Sequence, residues 1–194
     1  DCTMALMGED PHFWLGGMYL SPNHAPEFIR EEARRCVAGG MVAIKHGTEV
    51  NARDPRLDPI AEAAAELDVP LLYHAWYKMV EKRPEESDGS DIADLARRHP
   101  DTRIIMAHLT GVGRRGVQDV EDLPNVWIDT CGGWYDTGLV EYAVSHLGAD
   151  RVLYGSDYPG RDYSAQVGRV TGADISDADR EKILWRNAEA LLGL

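Results

Sequence analysis

Three polar residues along this chain each close a short apolar run. His74 follows Leu71-Leu72-Tyr73, His108 follows Ile104-Ile105-Met106-Ala107, and Asp157 comes after Val152-Leu153-Tyr154-Gly155-Ser156. Runs of this kind read as buried parallel strands. In a barrel of alternating strands and helices, their carboxyl ends meet at one mouth. Two imidazoles and a carboxylate gathered there could hold a divalent ion, polarise a substrate oxygen and carry a proton. Lys45 ends a fourth run, Met41-Val42-Ala43-Ile44, where its ammonium could bind a substrate carboxylate.

Each of these residues also has an ordinary reading. Asp157 after Ser156 suits a turn, and His74 and His108 suit core histidines bonded to backbone. Lys45 suits a strand-end lysine reaching solvent. The segment from Asp129 to Tyr135 reads as a pocket wall. Gly132-Gly133 would permit close backbone approach there, while Trp134 and Tyr135, with Trp76 elsewhere, would supply aromatic surface for a substrate. Arg114 and Arg115 could clamp an anion, but as a surface pair they need no special explanation. His12, His24, His99 and His146 fall in loops or at helix ends and receive no role.

The elements that must position these groups alternate. Residues 2–7 and 13–20 read as strands, and 26–38 as a helix with Phe28, Ile29, Ala33, Cys36 and Val37 on one face. Gly39-Gly40 stops it. Strand 41–45 precedes a helix capped by Asp58 that runs to about 67. Strand 71–74, a helix near 91–98 and strand 103–107 follow, and then an irregular glycine- and arginine-rich segment over 111–116. Strand 125–129, helix 137–147 and strand 152–155 lead to a last helix opened by a capping box from Ser176 to Asp179. From residue 41 the order calls for a parallel sheet with helical crossovers. No Gly-x-Gly-x-x-Gly follows a strand, and polar residues end several strands, so a barrel fits better than an open sheet.

The bounds agree. A chain of 194 residues with 44% hydrophobic and 27% charged content builds one core, and no run is long enough to span a bilayer. A net charge of -13 argues against nucleic acid or an anionic membrane as partner. Cys2, Cys36 and Cys131 are few and far apart, which suggests a reducing, cytoplasmic setting rather than a disulfide framework or a thiolate zinc site.

The motifs Leu-Leu-Tyr-His74, Ile-Ile-Met-Ala-His108-Leu-Thr-Gly, Val-Trp-Ile-Asp129-Thr-Cys-Gly-Gly and Leu-Tyr-Gly-Ser-Asp157-Tyr-Pro occur in that order before Ile183-Leu184-Trp-Arg-Asn187-Ala188-Glu-Ala-Leu191-Leu192-Gly. This series, covering about residues 13 to 194, resembles the amidohydrolase-related branch of the amidohydrolase superfamily. That branch includes aminocarboxymuconate-semialdehyde and hydroxybenzoate decarboxylases. The resemblance implies that His74 and Asp157 ligate a divalent metal, most plausibly zinc, that His108 polarises the substrate, and that Asp157 moves a proton. It also implies that Lys45 could bear a metal-bridging carbamate, as in other branches.

One departure stands out. The family's first strand ends in His-x-His, two further metal ligands, and nothing here matches it. Residues 2–7 resemble the family's second strand but lie too close to the next for a parallel crossover. Either the two form an antiparallel hairpin or an N-terminal portion is lacking. The expectation is therefore an α/β protein, a TIM-type (β/α) barrel incomplete at its N-terminus, with one domain over 1–194. It would act as a metal-dependent hydrolase or non-oxidative decarboxylase on a small carboxylate or carbonyl compound, with no nucleic-acid or membrane partner and homo-oligomerisation left open. The alternative is a non-catalytic barrel remnant that serves as a subunit or binding protein.

Overall fold

The computed structural model describes residues 2–133 and 136–194. Six strands form one parallel sheet whose spatial order is the order of the chain: β1 (Gly16–Tyr19), β2 (Met41–His46), β3 (Leu71–His74), β4 (Ile104–Ala107), β5 (Val126–Asp129) and β6 (Val152–Leu153). Each strand returns through helix: α2 (Pro26–Ala38), α3 (Asp58–Glu66), α4 (Gly89–Arg98), α5 (Leu109–Asp119) and α6 (Leu139–Leu147). After β6 come α7 (Tyr163–Thr171), α8 (Asp177–Glu181), one π-helical turn and α9 (Asn187–Leu192). This is the expected strand–helix alternation of a barrel, left open. Among the described residues β1 and β6 lie at the two edges of the sheet.

The two faces of the sheet have different tasks. Ile44, Leu71, Tyr73, Ile104, Met106, Ile128 and Val152 alternate along their strands and are fully buried with the helices in the main core. Ile105 and Leu153 face the other way and pack with Leu72, Trp127 and Leu191, so α9 covers the lower part of the concave face. Parallel strands put all their carboxyl ends on one side. Lys45, His74, His108, Asp129 and Asp157 therefore share a rim.

Three sequence expectations are corrected, and one helix is new. Residues 2–7 are not a strand but part of helix α1 (Cys2–Glu9), so there is no antiparallel hairpin with β1. Met4 and Met7 of α1 pack onto the core, and Met7 lies against Gly16. Asp58 is not the cap of α3. Asp54 caps a preceding 3-10 turn, Pro55–Leu57, by accepting from the Arg56 N–H, and Asp58 pairs instead with Arg98 and His99. The segment over 111–116 is helical within α5, broken only at Gly113, whose φ is 61° and ψ -162°. Its other glycines serve close packing: a Cβ on Gly111 would fall 2.3 Å from the Trp76 ring, and one on Gly89 only 2.8 Å from the Gly116 Cα. Helix α7, capped by Asp162, was not anticipated.

The loop after β3 carries Trp76 and is tied down by charge. Asp91, with 6% side-chain exposure, accepts from Lys82 Nζ at 2.7 Å, from Arg53 Nε at 2.6 Å and from Asn51 and the Asp88 N–H. Burial raises its pKa, but these partners outweigh burial and hold the carboxyl at about 2. Asp91→Ala removes these hydrogen bonds while leaving the Arg53 and Lys82 charges in reach of solvent. It is expected to cost about 2 kcal/mol, read as a lowered denaturant midpoint with an unchanged slope.

His46, the neighbour of Lys45, turns to the opposite face and is 0% exposed. Its ring stacks at 5.9 Å from Tyr19 and lies 4.9 Å from Tyr73, and among the described residues neither ring nitrogen meets a side-chain hydrogen-bond partner. Burial lowers its pKa to about 4, against a weaker upward pull from Glu49. The unfolded chain takes up this proton near pH 6.5 and the folded chain only near 4, so stability falls as pH falls through that window. The expected loss is about 3 kcal/mol. His46→Phe should reduce the pH dependence of unfolding between those limits and leave the part that His74 contributes; an unchanged slope would remove His46 as one of its sources.

Candidate active site

Each functional side chain is placed by the end of its strand. His74 is the last residue of β3, and His108 follows β4 in the left-handed region, with φ 76° and ψ 74°. Asp157 follows β6, also at positive φ, 55°. Such backbone costs roughly 1–3 kcal/mol at a non-glycine residue and survives where surrounding bonds over-determine it. At His108 these are the first turn of α5, with Gly111 N–H and Val112 N–H donating to its carbonyl at 2.7 and 2.9 Å, and Asp129 Oδ1, which accepts its N–H at 3.3 Å.

The two imidazoles meet directly: His108 Nε2 lies 2.9 Å from His74 Nδ1. On its far side His108 Nδ1 lies 2.9 Å from Cys131 Sγ. Burial, and then the neighbouring Asp129 carboxylate, push the Cys131 thiol well above its ordinary pKa. With the thiol assigned as the donor to His108 Nδ1, the ring proton sits on Nε2 and is donated to His74 Nδ1. His74 in turn carries its own proton on Nε2. The hydrogen bonds run one way, Cys131 to His108 to His74.

Charge closes the site. Burial lowers the pKa of both histidines, His74 to about 4, followed at His74 by the influence of His108 and Lys45, while Asp157 pulls both upward. Lys45 is likewise lowered by burial, with Asp129, Cys131 and Asp157 acting against it. With His74 bonded to His108, the groups Lys45, His108 and Asp157 surround one space. It is a cavity of about 410 Å3 whose polar wall includes Lys45, His108, Asp129 and Asp157, and whose apolar wall includes Leu72 and Leu153.

Trp76 lies beside the two histidines, its ring nearly parallel to that of His74 at 6.5 Å and 5.7 Å from His108. Gly132, with φ 116°, lets the segment after β5 run against Thr110; a Cβ there would sit 2.3 Å from Thr110 Oγ1. Trp134 and Tyr135 lie outside the described residues. Arg114 and Arg115 stack on Tyr142 and Tyr77, at 5.2 and 4.2 Å, rather than entering the cavity.

Sequence reasoning missed two contributors. Cys131 was seen only as part of a pocket wall, although its place two residues after a strand-end aspartate was a usable signal. Arg161 lies 3.6 Å from Asp157 and against Gly133; nothing in its surroundings in the sequence sets it apart.

A family model described as Amidohydrolase matches residues 1–194, the whole chain. The chain belongs to the amidohydrolase family. Among curated relatives, a 2-amino-3-carboxymuconate-6-semialdehyde decarboxylase from Dictyostelium discoideum is 23% identical over all of this chain and 65% of its own length. A gamma-resorcylate decarboxylase from Polaromonas sp. is 34% identical over 36% of this chain and 21% of its own. The chain thus spans less than two thirds of either. A crystal structure of a dihydroxybenzoic acid decarboxylase from Polaromonas sp., with bound manganese and the inhibitor 2-nitroresorcinol, superposes with a TM-score of 0.77 at 22% identity, covering 100% of this chain and 73% of that one. That likeness is one of fold.

Family membership raises the question of a divalent ion, and the donors answer it only in part. His74 and Asp157 offer two, His74 Nδ1 is already taken by His108, and no His-x-His is present. Two donors fall short of the three that hold a catalytic zinc. Among the described residues the convergent set of three is a different one: His108, Asp129 and Cys131.

Proposed function

We propose that this chain carries the active face of a non-oxidative decarboxylase acting on a small aromatic or unsaturated carboxylate, a carbon–carbon lyase of amidohydrolase type. The observation that carries the reading is the His108–His74 hydrogen bond of 2.9 Å, with His108 lining an apolar-walled cavity that Lys45 also lines. The sequence similarity to decarboxylases supports it. Metal dependence, with zinc as the ion, belongs to the same proposal. When bound, an ion would supply positive charge to a substrate oxygen. Because His74 and Asp157 do not complete its coordination, no step is drawn through it.

Lys45 binds the substrate carboxylate and holds it against the apolar wall. Loss of carbon dioxide requires that the carbon bearing the carboxylate gain a proton while the electrons of the breaking C–C bond return to the ring or chain. Asp157, at the rim and within the electrostatic reach of both imidazoles, moves that proton. The sequence reading gave His108 the polarising role. The one-way hydrogen-bond order supports a shared role instead, with His108 holding His74 and the Nε2–H of His74 free to donate to a substrate oxygen. Arg161 restrains Asp157 from the solvent side.

The test is direct. Protein supplied with zinc or manganese is incubated with 2,6-dihydroxybenzoate and related hydroxybenzoates, and carbon dioxide and the phenol are measured in equal amounts. Hydrolysis of a lactone or amide without decarboxylation would move the site to the hydrolase side of the family. Binding of these acids with no turnover would make this a binding protein built on the same sheet.

A further inference from the structure

We propose that His108, Asp129 and Cys131 form a binding site for a thiophilic divalent cation, zinc in preference to manganese. One ligand atom from each lies within 4.8 Å of the others, and all three residues are buried. All three line the cavity, so an ion can enter from its mouth. Two elements bring them together. Asp129 ends β5 with Cys131 two residues on, and His108 leaves the adjacent β4.

The outer partners are those a metal site needs. Asp129 Oδ1 is fixed by two backbone donors, the N–H of Cys131 at 3.0 Å and that of His108 at 3.3 Å. His108 has its Nε2 engaged by His74, which fixes the ring and leaves Nδ1, 2.9 Å from Sγ, as the ligand atom. Ligating imidazoles commonly have their second nitrogen tied in this way. Ion binding would also keep the imidazole proton order described above, because the cation takes the place of the thiol proton at Nδ1.

The donor set decides which ion. One nitrogen, one carboxylate oxygen and one sulfur form a borderline-soft set suited to zinc, whereas manganese prefers oxygen and nitrogen. A divalent cation would bind the Cys131 sulfur and the Asp129 carboxylate together. The step balances as the S–H bond breaks, the S–metal bond forms and one proton leaves to solvent. The site shares the cavity with the proposed lyase chemistry but does not depend on that reaction.

The experiment uses metal-free protein in a Cys2→Ser, Cys36→Ser background, titrated with cobalt and zinc in the absence of substrate. One ion per chain is expected, with a thiolate-to-cobalt charge-transfer band in the near ultraviolet, proton release on binding, and displacement of cobalt by zinc but not by manganese. Cys131→Ser should abolish the band and weaken zinc binding by about tenfold or more, while Asp157→Asn leaves both unchanged. Binding without the band would overturn the site. So would zinc affinity that survives Cys131→Ser but is lost in Asp157→Asn, or no zinc binding at all. If Cys131→Ser does not fold, the band in the background protein decides alone. A full band in a protein that releases no carbon dioxide would remove the lyase reading and leave this site standing; an active enzyme without the band would do the reverse.

Discussion

His74→Ala and His108→Ala are each expected to lower the rate constant for carbon dioxide release by about 10²- to 10⁴-fold, the range for loss of a positioned proton-handling group. The physical reason is the shared hydrogen bond: each ring fixes the tautomer and orientation of the other. Removing His108 leaves His74 Nδ1 without its donor, so His74 is free to rotate or to shift its proton. Removing His74 takes away the only imidazole N–H of the pair not already engaged. Because the two act as one unit, their effects should not add. The double variant should be no slower than the slower single within a few-fold, whereas independent roles would multiply the losses. Unfolding transitions of all three variants check that the fold persists. A double variant slower by the product of the two singles would show that the rings act separately.

The outline of this fold and much of its site were legible in the sequence, and the limits have physical causes. Strands β2 to β6 were found because each is a short apolar run between turn residues, and because a sheet covered on both faces needs apolar residues at nearly every position; β4 is buried at all four. The same rule misread residues 2–7. Cys-Thr-Met-Ala-Leu-Met is apolar throughout, and a run that short has no period to separate strand from helix. Glycines misled over 111–116, where Gly111 admits the Trp76 ring and Gly116 the Val112 side chain rather than making a turn. At the candidate site, residue type at a strand end pointed to His74, His108, Asp157 and Lys45, which the parallel sheet brings to one rim. It could not show which imidazole faces which, because that depends on the spacing between neighbouring strands. Nor could it single out Cys131, whose role comes from a contact with His108, 23 residues away.

Lys45→Met should cost about 2–5 kcal/mol in kcat/KM, on the order of 30- to several-thousand-fold, as truncating one partner of a desolvated charge pair does. Lys45 lies on the concave face, flanked by β1 and β3, and burial has already lowered its pKa. A substrate carboxylate would restore the counter-charge that burial withholds, so its attraction here is stronger than at an open surface. Methionine keeps the length and apolar stem of the side chain and removes only the charge. The loss should appear chiefly in KM and in the affinity of carboxylate inhibitors. Binding of a phenol that lacks the carboxylate should stay within a few-fold of the wild type. That contrast separates an anion anchor from a packing residue, since a disturbed cavity would weaken both ligands alike. Equal loss for the acid and the phenol would assign Lys45 to the structure of the wall, and the carboxylate would then need another cation, for which Arg161 beside Asp157 is a candidate.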